Sequence, residues 1–218
     1  MAHIFINDKL RLNKQGLMVR DSDNRWTELH CQQGRLDGAC VVYSVVMALL
    51  CIGYICNDDI DVNTDPNPDR RTEKGKLLSL LLDERGLVRD GYYLRTMSTL
   101  LRDKCSDLEI NYHKKKETIV SKIKESVESN YPVVISVNND KMGHGILVVG
   151  VEYDKNDNAS KLLCLDPGFS ITDNSYWNCI IDFSKNGIGT YPYWYITNDI
   201  KSKVDIKDII IIADKTED

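Results

Sequence analysis

The chain has 218 residues, 42% of them hydrophobic and 28% charged, with a formal net charge of -5. That length suits one domain with a substantial core, and the composition is that of ordinary soluble globular proteins. The acidic balance argues against a nucleic-acid partner, which needs a basic face, and no run approaches the ~20 apolar residues needed to span a bilayer.

The first 30 residues read as short β segments: Ala2 to Ile6, Gly16 to Arg20 and Arg25 to His30, separated by turn residues at Asn7-Asp8 and Asp21 to Asn24. Asn7, Asp8 and Lys9 also break any apolar stretch of a signal peptide. The expected compartment is the cytoplasm, with signal-less export left open. Gly38 to Gly53 is an almost unbroken apolar run of helical length and reads as a buried helix, with Asp37 as its expected N-cap. A polar loop from Asn57 to Arg71 follows, containing Asp65-Pro66-Asn67-Pro68. Two helices come next, Lys74 to Arg85 and Tyr92 to Lys104. A short strand is expected at Leu108 to Tyr112, then an amphipathic helix from Lys116 to Asn130, with Ile119, Ile123 and Val127 on one stripe. The basic run Lys114-Lys115-Lys116 reads as a solvated helix start.

The C-terminal part changes period. Pro132 to Asn138, Gly145 to Tyr153, Lys161 to Leu165, Cys179 to Phe183, Tyr193 to Thr197 and Asp208 to Ala213 all read as strands. Helices first and a mostly antiparallel sheet afterwards predict an α+β fold. No internal repeat or interdomain linker is visible. The expected organisation is one domain over 1–218: N-terminal β segments (1–30), a mainly helical part (31–130) and a sheet part (131–218).

Seven cysteines stand at 31, 40, 51, 56, 105, 164 and 179, with no CxxC pair. Their number is odd and their spacing irregular, which argues against a disulfide framework or a structural zinc site. Cys40 differs from the rest because it falls at the start of the predicted buried helix. Helix N-termini carry partial positive charge and unpaired N–H groups, which favour a thiolate. His144, in Met142-Gly143-His144-Gly145, stands between glycines at the mouth of a strand. A histidine is the usual base for a cysteine nucleophile. Asp166, in Leu165-Asp166-Pro167-Gly168, ends the next strand, and a hairpin would bring it toward His144. A carboxylate there orients the imidazole and stabilises its charged form.

The order Gln33, Cys40 at a helix start, Gly-His144 before an apolar strand, and a strand ending in Asp166-Pro167 resembles papain-like cysteine peptidases. It is closest to the bacterial branch of bacteriocin-leader (double-glycine) peptidase-like proteins. The likeness runs over roughly residues 30 to 170 as a pattern, and only the three short motifs are specific. It implies a helix bearing Cys40 packed against a sheet bearing His144 and Asp166, with Gln33 helping to form the oxyanion hole. Two departures stand out. Val41 follows the cysteine where the family usually has glycine, and Gln33 is one position further from Cys40 than usual.

The implied activity is hydrolysis of an amide bond in a protein or peptide substrate, a chemistry that needs no metal or organic cofactor. Two alternatives share these residues: a glutamine deamidase or acyltransferase effector using the same triad, and a non-catalytic peptide-binding module on a degenerate peptidase fold. Of the remaining aromatics, Trp177 reads as a shield over the site or as core. The Tyr92-Tyr93 and Tyr191 to Tyr195 clusters read as sheet or core surface. His3, His30 and His113 are weaker candidates than His144.

Overall fold

The run beginning at Cys40 is apolar on every side, and the fold is organised around burying it. In a computed structural model that describes residues 2–34, 37–61, 69–82, 91–184 and 189–215, this run is helix α1, Cys40–Cys51. Its side chains from Val45 to Cys51 are all buried. Full burial of each Val, Leu or Met contributes about 1.5–3 kcal/mol, so burial on all sides holds the helix more firmly than propensity does.

The N-terminal residues supply one cover. Strands β2 (Arg11–Asn13), β3 (Gly16–Arg20) and β4 (Trp26–Glu28) form a small antiparallel sheet, and Leu17 and Val19 of β3 share the core of α1. The short helix α2 (Asn57–Ile60) lies within the segment expected as polar loop. Helices α3 (Glu73–Leu81) and α4 (Leu94–Lys104) add Leu77, Leu78, Leu81, Leu94, Met97 and Leu101 to the same core. Thr72 caps α3 by accepting a hydrogen bond from the Gly75 N–H at 2.9 Å. The expected turn at Asp65 to Pro68 and the end of the first leucine-rich helix, 83–85, lie outside the described residues.

The second layer is an eight-stranded sheet in which every pairing is antiparallel. Its strands are β1 (His3–Ile6), β5 (Leu108–His113), β6 (Val133–Asn138), β7 (Gly143–Tyr153), β8 (Ala159–Leu165), β9 (Cys179–Asp182), β10 (Tyr193–Ile196) and β11 (Lys201–Asp214). Because β7 pairs with both β6 and β8, strands β6 to β11 close into a ring, in the order β7-β6-β11-β10-β9-β8. β1 extends the ring beside β7, and β5 beside β11. Helix α5 (Lys116–Glu128) places Ile119, Ile123 and Val127 in the same cluster as Ile135, Val148, Ile181 and Ile209 of the ring. The opposite faces of β6 and β7, through Val134, Leu147 and Val149, pack in the cluster of α1. The helix-plus-antiparallel-sheet architecture expected from the sequence is the one observed.

Three expectations need correction. Asp37 does not cap α1: the N-cap is Ala39, with no side-chain cap, and Asp37 Oδ1 instead accepts from the Ala39 N–H at 3.0 Å. Asp37 thereby tightens the approach to the helix two residues too early to cap it. Strand β11 starts at Lys201 rather than Asp208, because Val204 and Ile206 alternate inward between charged neighbours. Strand β2 was not expected at all; it has three residues with one half-buried side chain, too short to show a period.

Candidate active site

Cys40 is the first residue of α1, where the helix axis meets the open end of β7. Glycine at 145 is what permits the contact. A Cβ at that position would stand 2.8 Å from Val41 Cγ2 and 3.1 Å from Val41 Cα, closer than packed atoms tolerate. The Gly145 peptide then ties helix to strand. Its N–H donates to Cys40 Sγ at 3.3 Å, and its carbonyl accepts from the buried Ser44 hydroxyl, one turn along α1, at 3.1 Å. Ala39 offers no side-chain oxygen to the first-turn N–H groups, and the Val41 N–H also faces the Cys40 sulfur.

His144 precedes Gly145 and sits opposite Val137 on β6. Its Nε2 lies 2.7 Å from Asp166 Oδ1, which leaves Nδ1 as the ring nitrogen for the Cys40 thiol, its other hydrogen-bond partner. The hairpin register sets this distance. Leu147 pairs with Leu165, so Asp166, the next residue, comes level with Ile146, two residues along β7 from His144 and therefore on the same side of the strand as it.

Asp166 is fully buried. Besides His144, Oδ1 accepts from the Gly168 N–H at 2.7 Å, and Oδ2 accepts from the hydroxyl of Tyr195, itself buried on β10. Asn178 clamps the main chain of the same residue. Its Oδ1 accepts from the Asp166 N–H at 2.7 Å, and its Nδ2 donates to the Asp166 carbonyl at 2.9 Å and to the Phe169 carbonyl at 2.9 Å. His30 Nε2 stands 3.1 Å from the Asp166 carbonyl. Burial lowers the pKa of His30, so a neutral ring serves that carbonyl.

The electrostatics separate Cys40 from the other thiols. Burial pushes Cys31, Cys51 and Cys105 up to about 12, and raises Cys56 and Cys179 as well. At Cys40 burial acts in the same direction, but the His144 hydrogen bond and charge, with the Gly145 and Val41 N–H groups, outweigh it and lower the pKa. His144 moves the opposite way. Burial opposes its charge, yet hydrogen bonds to Asp166 and Cys40 raise its pKa to about 10. The geometry therefore favours a thiolate–imidazolium pair over a neutral thiol and imidazole.

Cys40 and His144 open onto a cavity of about 300 Å³, lined also by Tyr92, Tyr93, Ser136, Asn138 and Lys207. Tyr92, which also packs against the α1 core as expected, and the exposed Tyr93 are thus both part of the site wall. Trp177 borders a separate cavity with Asn178 and packs against the α1 core. Gln33 is not on the wall around Cys40. Its N–H donates to the Pro167 carbonyl at 2.8 Å, and its side-chain Oε1 is buried without a hydrogen-bond partner. Residues Arg35 and Leu36, between Gln33 and Cys40, lie outside the described residues.

Ser44, Tyr195, Asn178 and His30 carry no signal that the sequence alone makes legible. Each reaches its partner across more than 10 residues of chain, from Asn178 at a separation of 12 to His30 at 136.

A cysteine at a helix start, against a strand histidine tied to a strand-end aspartate, defines the papain-like class of cysteine peptidase folds. Within that class the chain belongs to the Peptidase_C39 like family, whose family model matches residues 23–197. Among solved structures the chain is similar to that of UfSP from C. elegans, with a TM-score of 0.45 and 14% identity. That match covers 97% of this chain and 34% of the other, so the chain spans about a third of the length of the structure it matches. No curated protein matches the chain.

Proposed function

We propose that the protein is a thiol hydrolase that cleaves an amide bond in a protein or peptide, with Cys40 as nucleophile, His144 as general acid and base, and Asp166 as orienting carboxylate. The Cys40 thiolate attacks the amide carbonyl. Negative charge develops on the carbonyl oxygen and meets the first-turn N–H of Cys40; the side-chain amide of Gln33, which is off the cavity wall, joins it only by turning toward the site. His144, protonated on the nitrogen facing sulfur, gives that proton to the departing amine as the C–N bond breaks. The neutral imidazole then takes a proton from water, which attacks the thioester. Release of the acid returns thiolate and imidazolium. Asp166 holds the ring in the orientation both transfers need.

The observation that carries this reading is the geometry: Cys40 opens α1 and accepts from the Gly145 N–H at 3.3 Å, and His144 beside it holds Nε2 2.7 Å from the buried Asp166 carboxylate, an arrangement that lowers the thiol, raises the imidazole and so separates charge. A binding module has no use for that charge separation, whereas a nucleophile does. Peptide cleavage and side-chain deamidation begin with the same attack, and the membership in a peptidase family favours cleavage.

The test is labelling with an acyl-trapping electrophile, read by intact mass. One adduct is expected on the wild-type chain, mapped to Cys40 and absent from Cys40→Ala and His144→Ala. Labelling spread over several thiols, or an adduct that survives Cys40→Ala, would refute the assignment.

A further inference from the structure

The wall of the site contains, beside Tyr93, a feature that hydrolysis as such does not require. Strands β6 and β11 pair regularly until Val137↔Ile206, and resume at Ser136↔Asp208. Lys207 is the extra residue of a β-bulge. Before it, Val204 and Ile206 face the ring cluster; after it, Ile209 and Ile211 face that cluster, and Ile210 and Ile212 face the α1 cluster. The alternation has slipped by one. Lys207 and Asp208 consequently project from the same face of the sheet, the face toward Cys40. Bulges beside active sites commonly re-aim a side chain in this way.

Lys207 lines the cavity shared by Cys40 and His144, and its ammonium stands 5.6 Å from the centre of the Tyr93 ring. Tyr93 is 76% exposed, so neither group is placed there by core packing. Each of the two nearby carboxylates has one oxygen engaged elsewhere and the other, Oδ1, buried without a hydrogen-bond partner. Asp205 Oδ2 accepts from Lys116 at 2.8 Å, and Asp208, buried, accepts at Oδ2 from the Tyr112 hydroxyl at 2.8 Å. Among the described residues, no Asp or Glu lines this cavity and none forms an ion pair with Lys207. A bulge has therefore placed a lysine at the rim of a cavity whose described wall has no acid, with its ammonium over a tyrosine face.

We propose that Lys207 is a specificity residue that receives a carboxylate of the substrate close to the scissile amide. The proposal rests on Cys40 being the nucleophile. The carboxylate belongs either to an acidic side chain or to a free C-terminus, and the same cation serves both.

The experiment uses the full chain and compares alkylation of Cys40 by iodoacetate and by iodoacetamide, followed by mass spectrometry. The imidazolium of His144 favours the anion in every variant, so the quantity of interest is the change in the iodoacetate-to-iodoacetamide rate ratio. Lys207→Gln is expected to lower that ratio by about three- to tenfold at low salt, the scale of one unit charge acting over the width of the cavity. Lys207→Arg is expected to retain it. A ratio unchanged in Lys207→Gln overturns the proposal while leaving the nucleophile assignment intact. Equal slowing of both reagents also overturns it, because the lysine would then act on the thiolate and not on the ligand. If Cys40 reacts no faster than the other six thiols with either reagent, the nucleophile assignment fails and this proposal with it. Peptidyl vinyl sulfones then identify the source of the carboxylate. A Lys207-dependent preference for Glu over Gln beside the electrophile assigns a side chain, and a preference for a free terminus over its amide assigns the C-terminus. A preference for neither overturns the proposal.

Discussion

The two halves of the site are built differently. On the sheet side, the Asp166 carboxylate accepts from His144, Gly168 and Tyr195, and its main chain is held by Asn178 and His30. A fully buried carboxylate demands this, because each unsatisfied oxygen costs free energy. On the helix side, α1 starts without a side-chain cap, and the Gln33 amide oxygen is buried without a partner. One half is over-determined and the other leaves polar groups unspent. The histidine is thus fixed in advance, while the cysteine side has fewer side-chain hydrogen bonds among the described residues.

The sharpest way to break this comparison is to remove the charge from the sheet side. Asp166→Asn retains the shape but exchanges an acceptor for an amide that cannot stabilise the imidazolium. A loss of about 10³–10⁴-fold in amide hydrolysis is expected, as when a triad aspartate loses its carboxylate. The pH profile reports the same contact. In the wild type the imidazolium persists until the pH rises through about 10, and the thiolate persists until the pH falls through the lowered pKa of Cys40. Hydrolysis, which needs both, should fall on either side of that window, whereas alkylation should fall only on the acid side. In Asp166→Asn the alkaline limb of hydrolysis should move to lower pH, because a group that raises the His144 pKa is gone. An alkaline limb that stays in place would show that Asp166 does not set the histidine's charge.

The helix side has its own test. Gln33→Ala removes the side-chain amide while keeping the main-chain N–H bond to the Pro167 carbonyl, and leaves Cys40 and His144 in place. If the amide turns to the oxyanion, hydrolysis should fall about 10²-fold, the usual cost of one oxyanion donor. Alkylation of Cys40, which forms no oxyanion, should proceed at the wild-type rate. A parallel loss of both would place Gln33 in the folding of the loop instead.

The same division explains how much of the site the sequence reveals. Cys40, His144 and Asp166 each carry a local mark: an apolar run beginning at the cysteine, glycines around the histidine, and a strand broken by Pro167. Gly145 also reads locally, although its reason, the closeness of Val41, does not. The supporting groups carry no such mark. Tyr195 reads as one more alternating aromatic in Tyr191 to Tyr195, and Asn178 as a turn residue before a strand. Ring closure is equally hidden, because nothing in β7 or β8 announces that β7 will pair on both edges. The bulge at Lys207 is concealed for a related reason: Lys201 to Asp208 is dense in charge, so the slip in its alternation is visible only against the partner register of β6.

Tyr195 supplies the smallest effect and the most discriminating one. Tyr195→Phe keeps the ring in the cluster that it shares with Ile181 and Val204, and deletes only the hydroxyl that serves Asp166 Oδ2. Were the hydroxyl incidental, stability would barely change. Because Asp166 is buried, the loss strands a carboxylate oxygen, and the expected cost is about 1–3 kcal/mol in denaturant unfolding. Hydrolysis should fall by less than about tenfold, since His144 and Gly168 still hold Oδ1 in place. A variant that is as stable as the wild type but far slower would reverse the assignment, making Tyr195 part of the chemistry and not of the scaffold that holds Asp166.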